Sequence, residues 1–217
     1  MTRYWLAVTA LAATVGSAGC LVKETTHRVY LSPSGSVDWV VLEESVRSDD
    51  NDSMKRANEE REWLDRVAAD THPVADGLRR LGPDGLSTRL LRPARPYTAL
   101  TDARYARVDR MIGRLFEELG LRGEATFEAR GQEATLSVSL DLSSLDDPGP
   151  DPESPATALV EDLDRYRFVL TDGRFVAATG FDILEDGSVA TLQAIPSETR
   201  QARGVLKLRL VWRGVQR

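Results

Sequence analysis

Between Glu124 and Leu142 the apolar residues recur at every second position, and that period belongs to a strand with one face buried. Ala125, Phe127 and Ala129 point one way, Gly131-Gln132 supplies a turn, and Leu136, Val138, Leu140 and Leu142 resume the alternation. Two such runs joined by so short a turn must pair antiparallel, because a parallel pair needs a crossover of a dozen or more residues. The pattern recurs at both ends of the chain. Thr25, His27, Val29 and Leu31 alternate with Thr26, Arg28 and Tyr30, Ser32 to Ser36 is a turn, and Val37 to Leu42 is extended again around Trp39. In the last third, Arg165 to Thr171, Arg174 to Leu184 and Ser188 to Ala194 are separated by Asp172-Gly173 and Asp186-Gly187. Asp-Gly between alternating runs signals a type I′ hairpin, in which both central residues need positive φ. Gly180 marks a bend within the second run, and Leu206, Leu208, Leu210 and Trp212 alternate with charged residues in a half-buried final strand.

Two segments carry the helical period instead. Tyr105, Val108, Ile112, Leu115 and Leu119 step by three and four, with Phe116 widening the stripe. They predict a helix over 102–119, started by Thr101 and ended by Gly120. Arg104, Arg107, Arg110 and Arg114 fall on its other faces. A thinner stripe of Ala57, Leu64, Val67 and Ala68, with Trp63 beside it, predicts a helix over 53–70, capped by Asp52 or Ser53 and stopped at His72-Pro73. Val74 to Leu81 adds one or two turns before Gly82-Pro83-Asp84-Gly85. Leu86 to Leu91 reads as a strand, followed by a bend from Pro93 to Pro96. The alternation of elements is too irregular for a doubly wound sheet. The fold class expected is α+β: a largely antiparallel β-sheet built from hairpins and a C-terminal meander, with two main helices packed on one face. It forms a single domain over 27–217. Within it 143–155, with prolines at 148, 150, 152 and 155, reads as a flexible acidic loop. A short helix is expected over 156–164 and a loop over 195–202.

The first twenty residues follow a different logic. Arg3 supplies a positive charge, Tyr4 to Val15 an apolar run too short to span a bilayer, and Gly16 to Gly19 a small-residue exit. This order resembles the leader of the bacterial lipoproteins, and Ser17-Ala18-Gly19-Cys20 is similar to their lipobox, with Ser17 where leucine is commonest. The resemblance implies a signal peptide over 1–19 and Cys20 as the acylated residue that becomes the new N-terminus. Residues 20–26 would then form a lipidated tether. Cys20 is the sole cysteine of the chain, so no disulfide can form within it. Two or more acyl chains hold a protein stably at a membrane. Leu21 after Cys20, in place of aspartate, leans towards the outer membrane, facing the periplasm, in a Gram-negative cell envelope.

A net charge of -6 argues against general nucleic-acid binding. Positive charge nevertheless gathers locally. Arg79, Arg80, Arg89, Arg92 and Arg95 form a basic stretch beside Tyr97. Arginine binds carboxylate and phosphate through paired donors, so these residues are candidates for an anionic lipid or an envelope-protein partner. Pairing with the chain's own acidic stretches, 43–65 and 141–164, is the alternative. No catalytic residue, metal site or cofactor is assigned. The two histidines, His27 and His72, lack metal spacing, and no nucleophile elbow, phosphate-binding loop or dinucleotide motif is present. Asp49 to Ser53 is rich in oxygen ligands but lacks the glycine and distant glutamate of a calcium loop, and helix capping accounts for it. Glu59, Glu60 and Glu62 could contribute to a carboxylate-based hydrolase. The function expected is therefore a lipid-anchored envelope protein acting as a non-enzymatic binding or structural module. A carrier or sensor of an apolar ligand between the 102–119 helix and the sheet is the alternative.

Overall fold

The computed structural model describes residues 21–145, 166–184, 186–193 and 204–214. The leader with Cys20, the segment 146–165 with the rest of the expected acidic loop and the expected short helix, and the expected loop 195–202 lie outside those residues; the start of that acidic loop, 143–145, belongs to a 3-10 turn, Leu142–Leu145. The fold is α+β and largely antiparallel, with the helices packed against two sheets. The first sheet has seven strands in the order β3-β4-β2-β1-β7-β10-β9. These are β1 (Leu21–Leu31), β2 (Val37–Ser48), β3 (Gly85–Arg92), β4 (Tyr97–Tyr105), β7 (Tyr166–Leu170), β9 (Phe181–Leu184) and β10 (Val189–Leu192). Every neighbouring pair is antiparallel except β1 with β7, which run parallel. The second sheet has the order β5-β6-β11-β8, from β5 (Gly123–Arg130), β6 (Glu133–Asp141), β11 (Val205–Arg213) and β8 (Arg174–Thr179).

Strand parity decides what each face buries. Val37, Trp39 and Val41 on β2, Val29 and Leu31 on β1, and Ala103 and Tyr105 on β4 share one face of the large sheet. They join Leu136, Leu210 and Trp212 from the small sheet in one core. Helix α2 (Pro73–Arg80) adds Val74 and Leu78, and α3 (Val108–Glu118) adds Val108, Met111 and Phe116. A smaller cluster of Val46, Trp63, Val67 and Ala99 lies under α1 (Ser53–Ala68). Asp52 caps α1 by accepting from the Met54 and Lys55 N–H groups, as its position predicts.

Several expectations need correction. The segment 102–119 is not one helix. Its first residues belong to β4, in which Thr101, Ala103 and Tyr105 are buried and alternate with Asp102 and Arg104. Hydrogen-bonded partners on both sides, β2 and β3, hold β4 extended, and this pairing outweighs the three-four spacing that starts at Tyr105. Thr101 is thus a core residue, and Arg107 stands at the start of α3 without a capping side chain. The expected tether is shorter than 20–26, because β1 begins at Leu21, opposite Ser48 of β2. His27 lies on an interior strand between β2 and β7, not on an edge.

The two Asp-Gly pairs also behave differently from expectation. Asp172-Gly173 closes no hairpin: β7 pairs with β1 and β10, whereas β8 pairs with β11 in the other sheet. Gly173 has φ 113°, and a Cβ there would sit 2.0 Å from the Arg213 carbonyl oxygen. A glycine is needed where the chain leaves one sheet for the other. Asp186-Gly187 does join β9 to β10, with Leu184 opposite Val189. Of that dipeptide, only Gly187 has positive φ, at 83°. Asp186 accepts instead from the Ser188 N–H, which gives a longer turn than type I′.

The bend at Gly180 is present and carries β8 of one sheet directly into β9 of the other. Gly180 has φ 74°, a left-handed conformation that costs an L-residue about 1–2 kcal/mol. Gly180→Ala should destabilise the protein by about that amount. Its Cβ would also come within 2.3 Å of Leu208 Cδ2, the far end of a side chain, which must shift to admit it. An unchanged urea midpoint would show that this bend does not need glycine.

Candidate functional site

The parity that sends Val37, Trp39 and Val41 inward continues to Glu43, whose carboxylate lies inside the protein at 1% exposure. A carboxylate at that depth stays charged only with close partners. Lys23, on the adjacent strand, donates to Glu43 Oε1 at 2.6 Å. His72 Nε2 lies 3.1 Å from Glu43 Oε2 and 3.1 Å from Thr101 Oγ1. His72 precedes Pro73 at the start of α2, and its ring turns into the core at 0% exposure instead of capping the helix. Burial pushes the Glu43 carboxyl up. The hydrogen bond from His72 and the Lys23 charge pull it down by more, and the net result lies below the ordinary value.

One strand over, His27 extends the polar cluster. Trp39 Nε1 donates to His27 Nδ1 at 3.2 Å, and the Tyr166 ring stacks on the imidazole at 4.3 Å between centroids. Because Nδ1 accepts, the proton of the neutral ring is on Nε2. Burial, opposed by the Glu43 charge, holds the His27 pKa down at about 4.

The cluster reaches the surface through Lys23, whose side chain is 25% exposed. Lys23 lines a cleft of about 290 Å³ together with Leu21, Pro73 and the α1 residues Glu59, Glu62, Trp63 and Arg66. Two apolar residues and one indole thus meet two cations and two carboxylates at the start of β1. Arg66 pairs with Glu62 at 2.6 Å, and Glu59 accepts from the Ser48 hydroxyl. The charges of this cleft balance, and its lining is mixed apolar and polar.

The cluster is not arranged for nucleophilic catalysis. A triad places nucleophile and orienting acid on opposite imidazole nitrogens. Here Glu43 and Thr101 both face Nε2, Nδ1 has no partner among the described residues, and Thr101 is 1% exposed. Glu59 and Glu62 share one helix, whereas glycoside hydrolysis needs carboxyl groups on opposite sides of the scissile bond. Glu60 is buried, accepting from the Ser48 N–H at 3.0 Å and pairing with Arg95 at 2.8 Å. Asp50 and Asp52 make the turn and cap expected of them, and no cluster of three metal-ligating residues occurs among the described residues.

The five candidate arginines do not converge. Arg79 pairs with Asp76 and with the Asp70 carbonyl, Arg80 faces Glu118 at 3.5 Å, and Arg95 is held by Glu60 and the Ser48 carbonyl. Only Arg89 and Arg92, exposed on the edge strand β3, have no acidic partner among the described residues. The basic stretch is largely spent on the protein's own carboxylates. The apolar side of α3 is filled too, since Val108, Met111 and Phe116 are buried in the main core.

Reading the sequence for sites missed Lys23, Glu43 and Thr101. The available signal was the two-residue period itself, which places Glu43 on the same face as Trp39 and Val41. His27 lies buried on the face of Val29, as its parity predicts.

No protein family matches the sequence, and no curated protein does either. Among solved structures, the folded domain of the Mycobacterium tuberculosis LppM protein, determined by NMR, is similar at a TM-score of 0.37 and 11% identity. The alignment covers 91% of this chain and 92% of that one. At that distance the likeness carries no inference about this chain.

Proposed function

We propose that the protein is a lipid-anchored module of the bacterial cell envelope that binds a partner or ligand without transforming it. The lipobox-like Ser17 to Cys20 motivates the anchor, and the start of β1 at Leu21 gives it mechanical meaning. A flexible linker of n residues reaches about 5–6 Å × √n, and here the hydrogen-bonded sheet starts one residue after Cys20. An acylated Cys20 therefore holds the Leu21 end of the sheet against the bilayer, and the cleft with Leu21, Lys23 and Trp63 with it. The mixed lining of that cleft suits an amphipathic partner at the membrane surface. The ion pair with the buried Glu43 holds Lys23 in place on the cleft wall.

Cys20→Ala tests the reading. The wild-type protein should sediment with membranes and show an acylated N-terminal cysteine by intact-mass analysis, and the variant should appear in the soluble fraction with unchanged melting. A wild-type protein that keeps Met1, or that matures without lipid, would remove the anchor and the orientation derived from it.

A further inference from the structure

Arg110 and Arg114 on α3, and Arg107 at the position just before it, follow one another at spacings of three and four. All three line a cavity of about 250 Å³ whose other walls include Leu81, Asp84, Tyr105 and Met111. We propose that this cavity binds the phosphate group of a hydroxylated phosphate ester. It is separate from the cleft beside Lys23, and the proposal does not depend on lipidation.

Guanidinium groups recognise phosphate through paired N–H donors, and three such residues line one small cavity. Two of them are partly engaged by neighbouring carboxylates and keep the rest of their donors. Arg107 Nε and Nη2 grip Asp109 at 3.0 and 2.8 Å, and its guanidinium lies 5.3 Å from the Phe127 ring centroid, so Nη1 stays free to donate. Arg114 uses Nη1 on Glu117 at 3.0 Å and keeps Nε and Nη2. Arg110, between them, is exposed and has no acidic partner among the described residues. The floor is firm: Leu81 and Met111 are buried, and the Tyr105 hydroxyl donates to the Leu78 carbonyl at 3.0 Å.

Asp84 sets the chemical class. It stands in the Gly82 to Gly85 turn, fixed by its N–H donating to the Arg104 carbonyl at 2.7 Å. A carboxylate on the wall repels a second anionic group and accepts hydrogen bonds from hydroxyls. The ligand that satisfies both walls carries phosphate towards α3 and hydroxyls towards Asp84. Such a group occurs on soluble polyol phosphates and on phospholipid headgroups.

Titration calorimetry on the full chain would use glycerol 1-phosphate, inorganic phosphate, glycerol, and dihexanoyl phosphatidylglycerol below its micelle concentration. Glycerol 1-phosphate should bind saturably and more tightly than inorganic phosphate, with no binding of glycerol. Arg110→Gln, at an exposed position, should weaken it at least tenfold with unchanged melting, and Asp84→Asn should remove the preference for the ester. Arg92→Gln on β3 should leave binding unchanged. Tighter binding of the short-chain lipid than of glycerol 1-phosphate identifies a headgroup as the source, and equal binding a soluble ester; both uphold the site. Absence of saturable binding by any phosphate compound, or equal losses in Arg92→Gln and Arg110→Gln, would overturn it.

Discussion

Lys23→Met should lower the unfolding free energy by about 3 kcal/mol at pH 8, the low end of what removing one partner of a buried ion pair costs. The low end applies because Lys23 is 25% exposed, so part of its charge is already hydrated. Glu43, at 1% exposure, has no such relief and loses its nearest full positive charge. In the wild type the Glu43 carboxyl lies below its ordinary value of 4.5, so its contribution to stability is present above that pH and fades on acidification. In the variant the Lys23 charge no longer pulls the carboxyl down, so less stability is left to lose on acidification: the deficit should shrink as the pH drops below about 4.5. Adding Glu43→Gln to Lys23→Met should recover most of the loss, because a neutral amide costs less to bury than an unpaired carboxylate. Urea denaturation of the four members of the cycle measures this. Additive losses in the double variant would show that the pair is not coupled.

His27 should make the whole protein acid-sensitive well above the carboxylate range. Its folded pKa of about 4 lies below the ordinary 6.5, so the unfolded chain takes up the proton first as the pH falls. The stability this residue contributes is complete above pH 6.5 and is lost progressively down to about pH 4, a total of about 3 kcal/mol at 1.36 kcal/mol per pKa unit. Burial is the main reason, and the site offers no room for the charge either, because protonation must occur at Nδ1, which faces the Trp39 N–H. Two donors would then point at each other beneath the stacked Tyr166 ring. Glutamine at this position cannot take up the proton, so His27→Gln should flatten the profile between pH 6.5 and 4.5, above the window in which Glu43 contributes. Urea midpoints measured in half-unit steps would decide the matter. Parallel profiles for wild type and variant would place the acid sensitivity elsewhere.

The elements that sequence alone specifies are those whose partner is next in the chain. β5 and β6 pair across two turn residues, and β1 and β2 across five, so the two-residue period and the turn suffice. Where the partner is distant, local pattern misleads. Ala99, Thr101, Ala103 and Tyr105 alternate as a strand should, but Tyr105, Val108 and Ile112 also step as a helix should. Only the ladders to β2 and β3 settle where one ends. Nothing near Asp172-Gly173 indicates that β7 and β8 belong to different sheets. The same limit applies to the cluster. Lys23 meets Glu43 through the β1–β2 register, and His72 reaches them because α2 lies over β4. None of these residues carries a motif, and each looks ordinary in its own neighbourhood.

β8 and β9 are one bent strand shared between two sheets, and β1 finds its parallel partner among residues that follow it by well over a hundred positions. Neither layer can be completed while the chain's last third is missing. A chain still emerging from a ribosome can close its early hairpins and pair β4 with β2, but its large sheet lacks an inner member until β7 arrives. Both layers thus wait for the same final stretch, and a truncation there would leave each of them with an unpaired inner edge.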